Sequence, residues 1–291
     1  MKPKIVYVDA YPKPILDSDG FAKKLLSTFH LELLALCQYG CLFCSSTDGL
    51  FQKMRRITFR AAIAEQLGIE MKPGDDPSLM LMVNDLLKNL ERQLKRKSRD
   101  WGHGQTLMFS MLTDGFSPEL LKQGYTRAAL ELLLDRTKFR IRILTKNWVV
   151  GTAYWTDFFA EHKDRFVVGL STGTTDDAWA KRIEVGTPSP SSRIKALHAL
   201  QDAGIATYAM LCPVFPHMLV GNELEDLIGA VRPDRVEHLW IEPYNDRENA
   251  AMVMAAMEPG SIDRSYLKRI YEEKEPKVWS QYATNLYVRT K

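Results

Sequence analysis

The chain has 291 residues, of which 45% are hydrophobic and 26% charged, and its formal net charge is +3. This is the composition of an ordinary globular protein, long enough for one α/β barrel with a large core. A mildly basic balance is compatible with a polyanionic partner but does not demand one. No apolar run approaches the roughly 18 residues of a membrane span, and residues 1–9 lack the features of a signal peptide. We therefore predict a cytoplasmic protein with no membrane partner.

Short apolar, β-branched runs alternate with helical patterns along the chain. Strands are predicted at 29–36, 107–112, 140–144, 165–170, 207–211 and 236–241, and helices at 118–134, 152–163, 190–203 and 222–231. This alternation predicts βαβ units and a parallel sheet. Six such units indicate a barrel or a partial barrel.

The stretch 45–106 departs from this alternation. It contains helical patterns near 57–68 and 79–97, and it is too long for a simple loop. We interpret it as an elaborated first crossover. The chain is therefore predicted to be a single domain over 1–291, with its core at about 29–247 and a C-terminal extension at 248–291.

Three of the four cysteines in the chain follow the first predicted strand. Cys37, Cys41 and Cys44 have the spacing Cys-x3-Cys-x2-Cys. Clustered cysteines without a secretory signal indicate metal binding or catalysis more than disulfides. Three thiolates so placed can bind three irons of a [4Fe–4S] cube and leave the fourth iron open. An open coordination position is typical of a catalytic metal.

Two alternatives to the cluster stay open. Zinc needs a fourth ligand, which Cys212 or His30 would supply, although structural zinc sites usually consist of two paired ligand motifs and no second pair is present. The other alternative is that the loop binds no metal. It requires three core cysteines within eight residues.

The cysteine loop resembles the signature of the radical S-adenosylmethionine (SAM) enzymes, and the aromatic Phe43 before the last cysteine fits this signature. In that superfamily the loop follows the first strand of a partial (β/α)6 barrel. The cysteines bind a [4Fe–4S] cluster, and SAM chelates the fourth iron. The resemblance implies an α/β fold of this kind, a partial TIM-type barrel with an elaborated helical segment after the first strand.

Later segments are similar, in the same order, to motifs of the spore photoproduct lyase-like branch. They lie at 113–118, 144–147, 169–172, 182–193, 203–205 and 212–216. Most of them stand at the C-terminal ends of predicted strands, the rim at which (β/α) barrels form active sites. The periodicity and the resemblance therefore indicate the same site.

Binding of SAM requires partners for its ammonium, its carboxylate and its adenosine. The candidate contacts at the rim are Phe43, Thr113, Asp114, Lys146, Ser171, Thr172, Glu184 and Arg193. We expect Thr113 and Asp114 to meet the ammonium and Lys146 the carboxylate. The alternatives are that Asp114 is a turn residue and that Glu184 pairs with Arg193 to stabilise the loop.

The resemblance also implies the reaction. An external one-electron reductant of the flavodoxin or ferredoxin type reduces the cluster, and SAM is cleaved to methionine and a 5′-deoxyadenosyl radical. That radical abstracts a hydrogen from the substrate. A second cluster is not expected, because Cys212 alone cannot ligate one.

The substrate is less determined. Spore photoproduct lyase repairs a thymine lesion in DNA and uses a further cysteine near the end of strand two, but the strand predicted at 107–112 contains none. This departure argues against photoproduct repair itself. Cys212 is the candidate hydrogen donor, with a small buried apolar thiol as the alternative. The candidate substrate contacts are Glu242, Tyr244, Asn245 and Arg247, at the last predicted strand end.

The segment 88–99 is basic, which is more commonly the pattern of a solvated helix face. Contact with phosphates is the functional alternative. The loop 101–103 that follows this segment is interpreted as lying beside the substrate. By resemblance, a nucleic acid base or nucleotide is the preferred substrate. A peptide or a small metabolite is the rival, and a non-catalytic Fe–S or zinc protein that binds nucleic acid is the rival function.

Overall fold

The computed structural model describes residues 3–17, 26–48, 50–246 and 248–291. The strands are β1 (Lys4–Val8), β2 (Ile15–Asp17), β3 (Phe29–Leu31), β4 (Leu34–Leu36), β5 (Leu79–Val83), β6 (Thr106–Phe109), β7 (Arg140–Thr145), β8 (Phe166–Ser171), β9 (Thr207–Val214) and β10 (Leu239–Pro243). The α-helices span Ser45–Asp48, Leu50–Leu67, Leu86–Lys95, Pro118–Lys122, Tyr125–Arg136, Ala153–Glu161, Asp177–Ile183, Pro190–Asp202, Glu223–Ala230, Ala250–Ala255, Ile262–Leu267 and Pro276–Arg289. Short 3-10 turns lie at Pro73–Asp75, Trp148–Gly151, Lys163–Arg165, Pro216–Leu219 and Pro233–Arg235, and a π-helical turn lies at Lys268–Glu272.

The main sheet has seven strands in the order β10-β9-β8-β7-β6-β3-β2. All neighbours from β3 through β10 run parallel, and β2 joins the edge antiparallel to β3. A parallel strand covered on both faces needs a nearly continuous apolar run, and β8 is buried at all six positions. The predicted parallel sheet is confirmed.

The predicted strand 29–36 is wrong in its second half. The chain leaves the main sheet after β3, bends at Glu32 and Leu33, and continues as β4 in a second sheet. The bend places the Glu32 carboxylate against the backbone after β6, where it accepts hydrogen bonds from Met111 and Leu112. A buried acid that must reach these donors therefore interrupts the strand.

The second sheet has the order β1-β5-β4, with β5 parallel to β1 and antiparallel to β4. The helix predicted over 79–97 is therefore wrong at its start, because β5 occupies Leu79–Val83 and the helix covers only Leu86–Lys95. All five residues of β5 are apolar and buried, and such a run has no period that separates a strand from a buried helix. The boundaries predicted for a single domain stay a prediction.

The four helices predicted between the core strands are confirmed, although the first is divided at Gly124 (φ 75°). They pack on one face of the main sheet, where Ile141 and Ile143 of β7 join the same apolar core as Leu133 and Leu197. The opposite face, which we call the inner face, carries a smaller cluster that includes Met108, Met210, Leu144, Cys212 and Trp240. In the described part of the chain no helix is long and apolar enough to cross a membrane.

Gly169 on β8 provides a test of the inner face. A Cβ at this position would lie 2.4 Å from Cε1 of Tyr208 on β9. We expect Gly169→Ala to displace that fully buried ring and to lower the free energy of unfolding by about 1–3 kcal/mol, measured by urea denaturation.

The matched control is Gly229→Ala in the helix Glu223–Ala230, where an added Cβ meets nothing within 4 Å. This substitution is expected to leave stability unchanged or to raise it by up to about 1 kcal/mol. Equal destabilisation by both substitutions would contradict the packing argument.

Candidate functional site

The cysteine loop directly follows β4. Cys41 is buried, Cys37 and Cys44 are half-buried, and all three are free thiols. The loop turns at Gly40, whose φ of 57° favours glycine and whose added Cβ would lie 2.6 Å from the Cβ of Pro77. The Ser46 N–H points at Cys44 Sγ at 3.4 Å, a contact of the kind that tunes cluster cysteines.

Backbone hydrogen bonds attach this loop to the chain that follows the helix Asp177–Ile183. Leu42 N–H donates to the Ile183 carbonyl at 2.9 Å, and Gly186 N–H donates to the Tyr39 carbonyl at 2.8 Å. Between them Cys41 forms an isolated β-bridge with Glu184. The three cysteines are thereby held beside the carboxyl ends of the parallel strands.

The donor set suits a cationic cluster. Burial, together with the neighbouring Cys44 and Asp114, raises the pKa of the Cys37 thiol to about 12. Burial and the adjacent Glu184 raise the pKa of Cys41 well above its ordinary value. Deprotonation of Cys37 and Cys41 in such a place requires a cation beside them, which an iron cluster would supply.

The arrangement differs from that of a single metal ion. Within the ranges that the structure describes, no three His, Cys, Asp or Glu side chains converge as the ligands of one ion do. A cube does not need such convergence, because each thiolate binds a different iron.

Glu184 is the centre of a buried ion-pair network. Its Oε1 accepts from Lys146 Nζ at 2.7 Å, and its Oε2 pairs with Arg193 Nη2. Burial alone would raise the pKa of Glu184, but the charges of Lys146 and Arg193 outweigh it and hold that pKa below its ordinary value. Lys146 Nζ also donates to Ser171 Oγ at 3.1 Å and lies 5.6 Å from the centre of the Phe43 ring. We call these five residues the Glu184 network.

Within this network Arg193 is committed to protein partners. Its side chain is fully buried and donates to the Ser171 carbonyl at 3.0 Å and to Thr187 Oγ1 and the Pro188 carbonyl at 2.6 Å. The alternative in which Arg193 pairs with Glu184 and stabilises the loop is therefore what the structure contains. Lys146 has three N–H donors, and contacts with Ser171 and Glu184 occupy two of them.

Asp114 is likewise occupied. Its buried carboxylate accepts from Phe116 N–H at 2.9 Å, Thr145 Oγ1 at 2.8 Å and Lys146 N–H at 2.8 Å. Burial raises the pKa of Asp114, although these hydrogen bonds oppose the shift. The side chain thus fixes the backbone that presents Lys146. Thr172 Oγ1 donates to the Thr174 carbonyl at 2.6 Å, so SAM contacts by Asp114 and Thr172 stay predictions.

The residue that the sequence analysis missed is Glu32. It is fully buried and accepts from Met111 N–H at 2.6 Å, Leu112 N–H at 2.9 Å and Thr113 Oγ1 at 3.1 Å. The Leu112 carbonyl in turn accepts from Ser46 Oγ at 2.8 Å. Glu32 thus links the rim after β6 to the short helix after the cysteines. The sequence signal for this residue was a single acid, Glu32, inside the otherwise mostly apolar segment 29–36.

The predicted substrate residues have different surroundings. Cys212 Sγ and Glu242 Oε2 lie 4.0 Å apart on neighbouring strands. Tyr244 is buried and stacks on Phe215 at 4.8 Å between ring centroids, so it supports the rim from behind. Asn245 is exposed, and Arg247 lies outside the described residues.

The loop 101–103 does not lie beside this site. The Trp101 ring packs at 5.6 Å on Phe29, the first residue of β3, and at 5.0 Å on Phe139, which directly precedes β7. These residues mark the amino ends of the parallel strands, whereas the cysteine loop lies at their carboxyl ends. The interpretation of this loop as a substrate-side loop is therefore wrong. The end of the basic segment, where Lys97 lies over the Trp101 ring, is at the same far edge.

Glu32 gives a prediction about pH. Burial raises the pKa of Glu32 to about 7, against the hydrogen bonds from Leu112 and Met111. The folded state therefore binds a proton that the unfolded state has lost between the ordinary pKa of 4.5 and about 7, so this residue lowers stability as pH rises through that window. We expect Glu32→Gln, whose Oε1 keeps the two backbone donors, to remove this pH dependence. Denaturant unfolding of both proteins from pH 4 to pH 8 measures it, and parallel stability curves would contradict the assignment.

Comparison with known proteins was made by sequence and by structure. No family model matches the chain. An uncharacterized protein of Acidianus two-tailed virus is 20% identical over 281 residues, which covers 95% of this chain and 86% of that protein. An uncharacterized protein of Methanocaldococcus jannaschii is 29% identical over 149 residues, 51% of this chain and 50% of that protein.

Solved structures of spore photoproduct lyase resemble the whole fold. One mutant of that enzyme aligns with a TM-score of 0.57 at 15% identity, covering 89% of this chain and 67% of the lyase chain. A mutant with bound AdoMet and dinucleoside spore photoproduct aligns with a TM-score of 0.52 at 12% identity, covering 96% and 78%. The chain therefore has the fold of spore photoproduct lyase, as the sequence resemblance predicted.

Proposed function

We propose that this protein is a radical SAM enzyme, and that the parallel strands β3 and β6–β10 form the partial (β/α)6 barrel of that superfamily. One observation carries the proposal: the loop of Cys37, Cys41 and Cys44 is attached through Glu184 to the Glu184 network at the carboxyl ends of these strands. When bound, a [4Fe–4S] cluster and SAM supply reductive cleavage of SAM and hydrogen abstraction from the substrate. A flavodoxin or ferredoxin type of reductant supplies the electron.

The chain's own residues have separate tasks in this proposal. The three cysteines ligate three irons, and Lys146 uses its remaining N–H for the carboxylate of SAM. Phe43, which the Lys146 ammonium approaches at 5.6 Å, flanks the adenine. Arg193 and Asp114 act as positioning residues, because their hydrogen bonds go to the loop and to the Lys146 backbone.

For the substrate we propose a nucleic acid base or a nucleotide. The support is that a structure sharing this fold holds dinucleoside spore photoproduct. The pair of Cys212 and Glu242 on the inner face supplies a candidate hydrogen donor beside a carboxylate, whichever substrate class binds. Since 106–113 holds no cysteine, hydrogen donation in this chain is assigned to β9.

The enzyme class is tested by anaerobic reconstitution with iron and sulfide. Cys41→Ala is expected to lose the cluster absorbance and at least about a hundredfold of the 5′-deoxyadenosine formed under dithionite, because the cluster loses one of three protein ligands. Cys212→Ala is the matched control for the cluster and is expected to keep its absorbance and iron content, because Cys212 is not one of the three proposed ligands. Iron content and product chromatography measure the result.

Two results would count against these assignments. Full iron content in Cys41→Ala would remove the ligand assignment. A reconstituted, reduced wild-type protein that never forms 5′-deoxyadenosine, even with oligonucleotides or nucleotides present, would remove the proposed function.

The substrate class is tested separately by binding of a fluorescent single-stranded oligodeoxynucleotide. We expect the logarithm of the binding constant to fall linearly with the logarithm of salt concentration, because phosphate contacts release counterions. Combined Arg96→Gln and Arg99→Gln substitutions test the basic segment 88–99. A smaller slope in this variant shows that the segment contacts the phosphates, and an unchanged slope shows that it does not. Binding that is absent or independent of salt would exclude an oligonucleotide substrate and leave the enzyme class intact.

A further inference from the structure

Arg142 lies in the interior of the main sheet. Its neighbours Ile141 and Ile143 pack in the helix-side core, so Arg142 projects from β7 onto the inner face. The guanidinium carbon lies 5.0 Å from the centre of the Tyr208 ring and 5.2 Å from that of Trp240. Only 4% of the residue is exposed. A permanently charged group is thus held between two aromatic rings.

Within the described residues, no carboxylate forms an ion pair with this guanidinium. Its Nε and Nη1 are buried without a hydrogen-bond partner among the described residues. The negative charge of Glu237 interacts electrostatically with Arg142. The Glu237 carboxylate, however, forms its ion pair with Arg140, at the exposed start of β7. Arg193 is also buried, but it donates to Glu184, Thr187 and Pro188. Because buried charges are normally paired, the difference between the two arginines indicates a missing partner.

The side chains around Arg142 are aromatic and apolar. Gly169 leaves room for the Tyr208 ring, which lies across the inner face with its hydroxyl 3.9 Å from Met108 Sδ. Trp240 is only half-buried, because β10 is the edge of the sheet. An apolar, aromatic wall with one convergent polar group is typical of small-molecule sites.

We propose that Arg142 binds an oxyanion of the substrate, either a phosphate or a carboxylate, on the inner face. The inference rests on the proposed function, which places the reacting part of the substrate near Lys146 and Cys212. Lys146 follows Arg142 by four residues along β7, which corresponds to about 13 Å at 3.3 Å per residue. A molecule of nucleotide size spans that interval, with its anionic end at Arg142 and its reacting end at the rim.

The test is equilibrium binding by calorimetry to the reconstituted protein with SAM and without reductant. The probes are thymidine 5′-monophosphate, thymidine and N-acetylglycine. We expect wild-type protein to bind the monophosphate or the carboxylate, and Arg142→Met to bind it at least about tenfold more weakly, since a charge-assisted hydrogen bond is lost. Arg142→Lys is expected to recover part of the affinity. Arg140→Met, on the same strand but paired with Glu237, is expected to stay within about twofold of wild type.

The arms distinguish the sources of the oxyanion. Binding of the monophosphate alone assigns a phosphate, binding of N-acetylglycine alone assigns a carboxylate, and binding of both assigns a general oxyanion site. Equal affinity of wild type and Arg142→Met for every probe, or wild-type binding to none of them, would overturn the proposal. If Arg142→Met does not fold, as judged by circular dichroism, Arg142→Lys and the wild-type comparison of monophosphate with thymidine decide. No arm depends on SAM cleavage, so this result is independent of the enzyme assay.

Discussion

The buried carboxylate of Glu184 is the interaction on which the candidate site depends. It is shared by Lys146 at the end of β7 and Arg193 in the helix Pro190–Asp202, while its backbone bridges to Cys41. One residue therefore connects the cysteine loop to the carboxyl end of β7 and to the helix Pro190–Asp202. Lys146 and Arg193 share this carboxylate, and the third N–H donor of Lys146 stays available for an anionic ligand group where the local dielectric constant is low.

Buried carboxylates also stabilise the rim at two other points. Asp114 fixes the backbone at Phe116 and Lys146, and Glu32 fixes it at Met111 and Leu112. Each carboxylate exchanges water for backbone N–H donors that a loop would otherwise leave unpaired. Rim segments that lack regular secondary structure are thereby held in one conformation. A site that must position a cofactor and exclude water needs such support behind the groups that make contact.

The features that the sequence predicted correctly are those encoded by neighbouring residues in the chain. The alternation of strands and helices, and the cysteine spacing, are encoded over short stretches. The second sheet was missed because Leu79–Val83 has no polar residue to reveal its period. Glu32 was missed because its hydrogen-bond donors come from a distant segment, 79 residues away for Met111. The pairing of Arg193 with Glu184, nine residues apart, was among the alternatives that the sequence offered. The sequence therefore predicted which residue types lie at the rim. Only the tertiary structure separates side chains that are available to a ligand from side chains that hold the rim backbone in place.

The basic residues along β7 differ in how far their charges are compensated. Arg140 at the start of the strand is neutralised by Glu237, Arg142 has no bonded acid among the described residues, and Lys146 at the end is shared with Glu184. The basic segment that ends near Trp101 lies at the opposite edge from the cysteines. Attraction of a polyanion to that edge would not bring it to the rim. In the proposed function, substrate selection therefore falls to the buried cations of the inner face. There a desolvated guanidinium with no bonded acid among the described residues attracts an anion more strongly than a solvated basic surface does.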